Sequence, residues 1–452
     1  QPRSRGLGDV YKRQDKYIAS FTTRWDGASH LAEGYKWESF PAGALAWRVS
    51  QEPFMKATRN WLNNMKLRLS YGVTGNSGGM GAYSSQTGAA TYSPVSIDGV
   101  LSSVSQMVSP YGNPSIGWEK TYQWNYGVDL GFFDNRISLS FDYYDSSTKD
   151  LLFSRTLPIT SAITAWGSPM NTWQNIGETS NKGYEIQLST VNIESRNFKW
   201  TSSISYTHND EKIVDLPDGD LIAKKLFEGH PIKTFYDFKY AGIWSTDEEE
   251  EAAKYGCQPG YIKLHTVEQF TEDENGNMVG DGGVHIYSNT RDLQILGSNV
   301  PDGILGINNT FKYRDFDLSV FAMIRYGQMI DSKAIGWYSA NNNNQPKGTK
   351  YWTPENQDAY FPRPGIASTT GIASLRYLDG SYAKIKNITL GYTFPKKLCK
   401  TLGLEKCRLY ATAYNVFVLP FQSELKHTDP ENNGSDSFPL YKTYLLGLNV
   451  SF

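Results

Sequence analysis

Successive side chains on a β-strand point to opposite faces, so a strict alternation of apolar and polar residues commits a chain to sheet with one greasy and one wet face. Within residues 122–132, Tyr122, Trp124, Tyr126, Val128, Leu130 and Phe132 take one face, and Gln123, Asn125, Gly127, Asp129 and Gly131 take the other. After a turn at 133–135 the pattern resumes, with Ile137, Leu139, Phe141 and Tyr143 against Ser138, Ser140, Asp142 and Tyr144. The alternation recurs at 65–74, 184–189, 198–207, 316–326, 388–394 and 444–452, and more weakly at 17–25, 42–50, 304–313 and 407–416. The count is about twelve strands, most near the roughly 9 to 11 residues that cross a bilayer at a tilt.

The connections form a second pattern. From the fourth strand on they run short (133–135), long (150–175), short (191–197), very long (210–300), short (314–315), long (327–380), fairly short (395–406) and long (419–440). Long loops at one end and short turns at the other mark an outer-membrane barrel, with its short turns in the periplasm. A soluble β-sandwich alternates too, but it buries its apolar face and keeps connections short at both ends. The fold class expected is therefore all-β, an antiparallel transmembrane β-barrel. Its wet face carries Lys66, Arg68, Asp129, Asp142, Glu185, Asp317 and Arg325, as a hydrated lumen requires.

Composition closes other routes. Hydrophobic residues are 39% of the chain, and mean hydropathy is -0.49. No stretch approaches the roughly 20 apolar residues of a helical span. A net charge of -2 offers no basic field for nucleic acid. The six histidines, His30, His208, His230, His265, His285 and His427, lack metal or triad spacing, so no catalytic site and no cofactor is expected. Residues 75–81 are Gly-rich but lack the GK[ST] ending of a phosphate loop. Cys257, Cys399 and Cys407 lack CxxC spacing; Cys399 and Cys407 could pair in an oxidising compartment. The acidic run Asp247 to Glu251 follows Ser245 and Thr246, the composition of a capped helix start.

Residues 1–14 (QPRSRGLGDVYKRQ) are basic and do not alternate, so they are expected to be a non-native or disordered leader, with residues 15–452 forming a partial barrel. The last strand places Tyr444, Leu446, Leu448, Val450 and Phe452 on one face, the form of a barrel-assembly signal.

Several segments resemble the barrel of SusC/RagA-type TonB-dependent outer-membrane transporters, a Bacteroidota-like signature. They are FPAGALAWRVS (40–50), LRLSYGVTGNSG (67–78), WEKTYQWNYGVDLGFFDNRISLSFDYYDSSTKDLL (118–152), AGIW (241–244), NTFKYRDFDLSVF (309–321), YWTPEN (351–356) and RYLDGSYAKIKNITLGYTFPKKL (376–398). The resemblance implies a barrel of about 22 strands, of which these are the C-terminal ones. It also implies a plug domain and first strands that precede this segment, multi-pass residence in the cell outer membrane among its lipids, and nutrient import rather than catalysis. The implied partners are the TonB complex and a SusD-like surface lipoprotein, the implied substrate a glycan or peptide. Alternatives are a passive porin or adhesin barrel and a soluble secreted glycan-binding protein. Relatives carry a calcium loop near 271–282, where Asp273 and Asn275 match two ligand positions but Thr271 and Gly282 replace acids. The loop aromatics Trp337, Tyr338, Trp352, Tyr360 and Phe361 are the candidates for stacking on substrate.

Overall fold

The alternating segments are strands, and they pair in the order in which they occur. The computed structural model describes residues 3–13, 15–91, 95–97, 99–102, 106–108, 111–161, 164–165, 168–283, 285–336, 348–365, 370–438 and 440–452. Thirteen long strands follow one another. They are β1 (Arg3–Arg13), β2 (Tyr17–Gly27), β3 (Trp37–Trp47), β4 (Leu62–Asn76), β5 (Glu119–Phe132), β6 (Ile137–Lys149) and β7 (Glu178–Glu194). Next come β8 (Phe198–Asp215), β9 (Gly303–Tyr313), β10 (Phe316–Tyr326), β11 (Tyr382–Thr393), β12 (Lys406–Pro420) and β13 (Thr443–Ser451). From the connection between β4 and β5 onward, long and short connections alternate. The chain divides into two compact units, residues 1–192 with 203–232, and residues 193–202 with 233–452.

In the first unit the register aligns the two faces from strand to strand. Met65, Leu67 and Leu69 of β4 stand opposite Leu130, Val128 and Tyr126 of β5. Those oppose Leu139, Phe141 and Tyr143 of β6, which oppose Leu188, Ile186 and Tyr184 of β7. A slip of one residue would put every one of these side chains on the wet face, so the pattern fixes the pairing. The apolar face is not a core: Tyr126 is 48% exposed, Phe141 38% and Leu45 59%. A sandwich would cover it; a lipid-facing wall leaves it bare. The buried residues lie instead in the long connections, where Ala28, Leu31, Ala32, Ile116 and Trp118 pack around Phe40.

The short turns are tight. Phe133, Asp134 and Asn135 all have positive φ (52°, 55° and 62°), and Arg136 N–H donates to the Phe133 carbonyl. Three successive left-handed residues reverse the chain in the least length, at a cost that Asn and Asp tolerate better than Phe does. Asn135 is held by Asn63, whose Nδ2 donates to its Oδ1 at 3.0 Å.

In the second unit β9 to β13 pair in chain order, with bulges in β11 near Ile385. Tyr444, Leu446, Leu448 and Val450 share one exposed face of β13, opposite Ala413, Ala411, Leu409 and Cys407. Cys257, Cys399 and Cys407 are free thiols.

Three expectations change. Residues 3–13, within the stretch expected to be a non-native or disordered leader, take strand form and pair in register with β2, from Arg3 opposite Gly27 to Arg13 opposite Tyr17, because backbone groups can extend a sheet whatever the side chains. The strand expected at 42–50 begins at Trp37 and stops at Trp47, since Val49–Gln51 turns into a 3-10 helix. The strand expected at 184–189 is longer, β7, because its polar start is zipped to the end of β6, with Lys182 beside Asp145 at 2.9 Å.

Candidate functional site

The wet face is wired across strands rather than simply solvated. In the first unit Arg68, Gly127 and Asp142 stand in one row across β4, β5 and β6. The Arg68 guanidinium lies over Gly127, where a Cβ would come within 2.5 Å of its central carbon. From there it forks to Asp129 (2.9 Å) and Asp142 (2.8 Å), with Ser140 Oγ donating to Asp129 at 2.8 Å. The second unit repeats the device: Arg408 of β12 passes over Gly391 of β11 to the Asp317 carboxylate of β10. Both are bidentate pairs set where a side chain on the middle strand would block them.

The long connections of the second unit fold into a lobe around Phe238, Ile262, Leu264 and Leu375. Tyr240 Oη donates to the Tyr360 carbonyl at 3.0 Å, Tyr360 Oη to the Leu375 carbonyl at 2.7 Å, and Tyr377 Oη to Asp237 at 2.8 Å. Burial pushes the Tyr240 and Tyr360 hydroxyls well above the ordinary tyrosine range. The connection after β12 is strapped down separately. Lys384 of β11, 2% exposed, donates to Asp429 at 2.5 Å and Glu431 at 2.6 Å, and Lys386 also reaches Glu431. Asp429 meanwhile caps the 3-10 turn Pro430–Asn432 by accepting from Glu431 N–H.

Between these elements lies a cavity of about 670 Å³, lined by Lys350, Asp358, Tyr360, Phe361, Glu424 and His427 among others. A second of about 430 Å³ shares His427 and Thr428 with it. The segment His427 to Thr428 is thus a partition, and the Lys384 strap lies just beyond it in sequence. Sequence reasoning missed Asp358, Glu424, Lys384 and Glu431. Only Asp429 before Pro430, a helix-start pair, offered a local sign.

Of the five candidate stacking residues, Trp337 and Tyr338 lie outside the described residues. Trp352 is buried, 5% exposed, with its ring and the Arg363 side chain crowding Gly260, so packing within the lobe replaces the open face expected of it. Tyr360 and Phe361 line the larger cavity, their rings edge to face at 5.3 Å. The acidic run takes the expected form: Ser245 and Glu248 make a capping box before the helix Glu249–Lys254. Lys263 pairs with Glu248 at 2.5 Å and draws its carboxyl below the ordinary range.

The 271–282 segment is a hairpin, Phe270–Glu272 paired with Met278–Gly280, and Asp273 serves its turn rather than pointing outward. Its Oδ1 accepts from the N–H of Asn275 and Asn277, both at 2.8 Å, and these bonds, the Asn277 N–H first, hold its carboxyl below the usual range. Asp273→Ala should therefore speed amide exchange across 270–280, most at Asn275 and Asn277. Unchanged exchange at Asn275 and Asn277 would show the turn is held otherwise.

One exposed apolar face and one charge-paired polar face on antiparallel strands joined by long connections are the features of a transmembrane β-barrel wall. The chain belongs to the TonB dependent receptor-like, beta-barrel family, whose family model matches residues 7–416. It is 31% identical over 471 residues to TonB-dependent receptor P3 of Formosa agariphila, covering 98% of this chain and 44% of that protein. It is 29% identical over 476 residues to TonB-dependent receptor SusC of Bacteroides thetaiotaomicron, covering 98% and 43%. The chain thus spans less than half the length of these relatives. Its fold matches the RagAB peptide transporter with a TM-score of 0.80 at 22% identity, over 100% of this chain and 48% of that one. These matches support the SusC/RagA resemblance. Against a soluble secreted protein stands the bare apolar face.

Proposed function

We propose that the chain is the barrel part of a TonB-dependent importer in the outer membrane, taking up glycan or peptide together with a SusD-like surface lipoprotein. The observation that carries this reading is the division of labour along each strand pair. The face of Tyr126, Phe141 and Leu45 is exposed and apolar, while the opposite face is spanned by forked ion pairs such as Arg68 with Asp129 and Asp142. In hydrocarbon every backbone polar group needs a partner, which a sheet of paired strands supplies. A lumen wide enough for a large nutrient needs a plug and a driven opening, which is why energy coupling is expected rather than passive flow. Uptake by cells carrying the full-length gene should fall to background when TonB is deleted, while the protein stays in the outer-membrane fraction. Uptake that continues without TonB would favour the passive-porin alternative.

A further inference from the structure

We infer that the cavity beside the helix Lys396–Thr401, in the short connection between β11 and β12, holds the headgroup of an anionic phospholipid. The inference rests on the membrane-barrel reading and goes beyond it by assigning a lipid site, the charge it selects and the residues that form it.

This connection is a folded one rather than a tight turn. Phe394 N–H donates to the Cys407 carbonyl at 2.9 Å, the buried Cys399 sets its thiol against the Phe394 carbonyl, and Leu404 N–H returns to the Cys399 carbonyl at 2.9 Å. Glu405 N–H then donates to the Ser451 carbonyl at 2.8 Å, which ties the connection to the end of β13. The fold leaves a cavity of about 440 Å³, lined by Phe394, Lys396, Lys400, Leu404, Glu405 and Lys406 among others, within the roughly 300 to 1,000 Å³ span of small-ligand pockets. Its charge is unbalanced. Three lysines stand against one glutamate, and none of the three makes an ion pair among the described residues. Lys396 and Lys400 lie four apart on the helix, so two like charges share one face and repel. An anion set between them turns that repulsion into attraction.

The surroundings select the kind of anion. Leu398 and Leu402, again four apart, are exposed, so the helix carries an apolar edge beside its cationic one, as elements lying at a membrane surface do. Phe394 extends an aromatic row: its ring meets Tyr392 edge to face at 5.2 Å, and Tyr392 meets the exposed Phe316 at 4.7 Å. Such rings mark the headgroup level of a membrane barrel. Beyond them the wall presents the exposed Leu390, Leu409 and Leu448. A phospholipid answers both halves, its phosphate drawn to the lysines and its acyl chains laid along the leucines. Free phosphate would leave the leucines bare, and a zwitterionic lipid would leave the excess positive charge uncancelled.

The test uses the purified full-length protein, stripped of lipid in a neutral detergent and titrated with dioleoyl phosphatidylglycerol or, separately, zwitterionic dioleoyl phosphatidylcholine, with bound lipids counted by native mass spectrometry. The first phosphatidylglycerol should bind at least tenfold more tightly than the first phosphatidylcholine. That preference should fall below threefold in the variant carrying Lys396→Gln, Lys400→Gln and Lys406→Gln, and should survive when the same three lysines are changed to Arg. Lys397→Gln, on the helix but outside the cavity, should leave it within threefold of wild type. All four lysines are exposed, so none of these changes disturbs a packed side chain. Equal binding of the two lipids, or a preference that survives the Gln variant, would overturn the site and leave the membrane reading standing. Millimolar inorganic phosphate that displaces the lipid and binds in its place would make this a free-anion site and overturn the lipid assignment. Binding of neither lipid would overturn the site wherever the protein resides, and only its absence from the outer-membrane fraction would remove the membrane reading as well.

Discussion

Lys384→Met is expected to release the connection after β12 while leaving the strands paired. The side chain is 1% exposed, and its ammonium is the shared partner of Asp429 and Glu431. Removing one member of a buried ion pair strands the others, at a cost of about 3 to 5 kcal/mol. Here Asp429 and Glu431 keep 14% and 22% exposure and Glu431 keeps Lys386, so the lower end applies. Amide exchange and protease cutting within 421–442 should rise by at least tenfold, with β5 and β6 unaffected. The triple variant with Asp429→Asn and Glu431→Gln should recover much of the protection, because it removes the stranded charge. Protection unchanged in Lys384→Met would mean the strap is held by packing around Leu425 instead.

The same strap predicts a pH dependence. Burial acts most strongly on the Glu431 carboxyl and would raise it, but Lys384 and Lys386 together outweigh burial and leave it below its ordinary 4.5. A carboxyl lowered in the folded state contributes stability that is present above 4.5 and lost as pH falls through the lowered value. Protection factors in 421–442, which divide out the intrinsic pH dependence of amide exchange, should stay flat from neutral pH down to about 4.5 and fall below it. Glu431→Gln should abolish that fall. A fall centred near neutrality would point to another group.

The second large effect concerns the wall. Arg68→Leu removes the guanidinium that bridges Asp129 and Asp142 on neighbouring strands, leaving Asp129 with Lys66 opposite it and Asp142 without its partner cation. A loss of about 3 kcal/mol is expected, read as a lower urea midpoint for the full-length protein folded in detergent. Arg68→Lys should rescue little, since one ammonium cannot fork to both carboxylates. Gly127→Ala should cost about 1 to 3 kcal/mol through overpacking, because its Cβ would displace the guanidinium. A wall indifferent to all three would mean the fork is ornamental solvation.

How legible this was in the sequence depends on range. β5 and β6 were readable because Tyr122 to Phe132 and Ile137 to Tyr144 alternate without a break, and their turn is local. The start of β7, Glu178 to Gly183, was not, because its residues are polar and its pairing depends on β6. Asp129, Asp142 and Arg68 were visible as wet-face charges, yet their fork joins residues 61 and 74 positions apart. The cavity was half visible: Tyr360 and Phe361 stood out as loop aromatics, whereas Trp352 looked the same and is buried. Asp358, Glu424 and His427 meet there only because two distant connections converge, and no periodicity encodes that.

The central claim is that the alternation divides lipid from water. Spin labels on single cysteines, introduced into the full-length protein lacking Cys257, Cys399 and Cys407, test it along β5 and β6. In outer-membrane vesicles, labels at Val128, Leu130, Leu139 and Phe141 should collide with oxygen and be shielded from a water-soluble nickel chelate. Labels at Asn125, Gly131, Ser138 and Ser140 should show the reverse, giving a period of two along each strand. Equal access of the chelate to both sets would contradict a membrane barrel and return the chain to the soluble proteins.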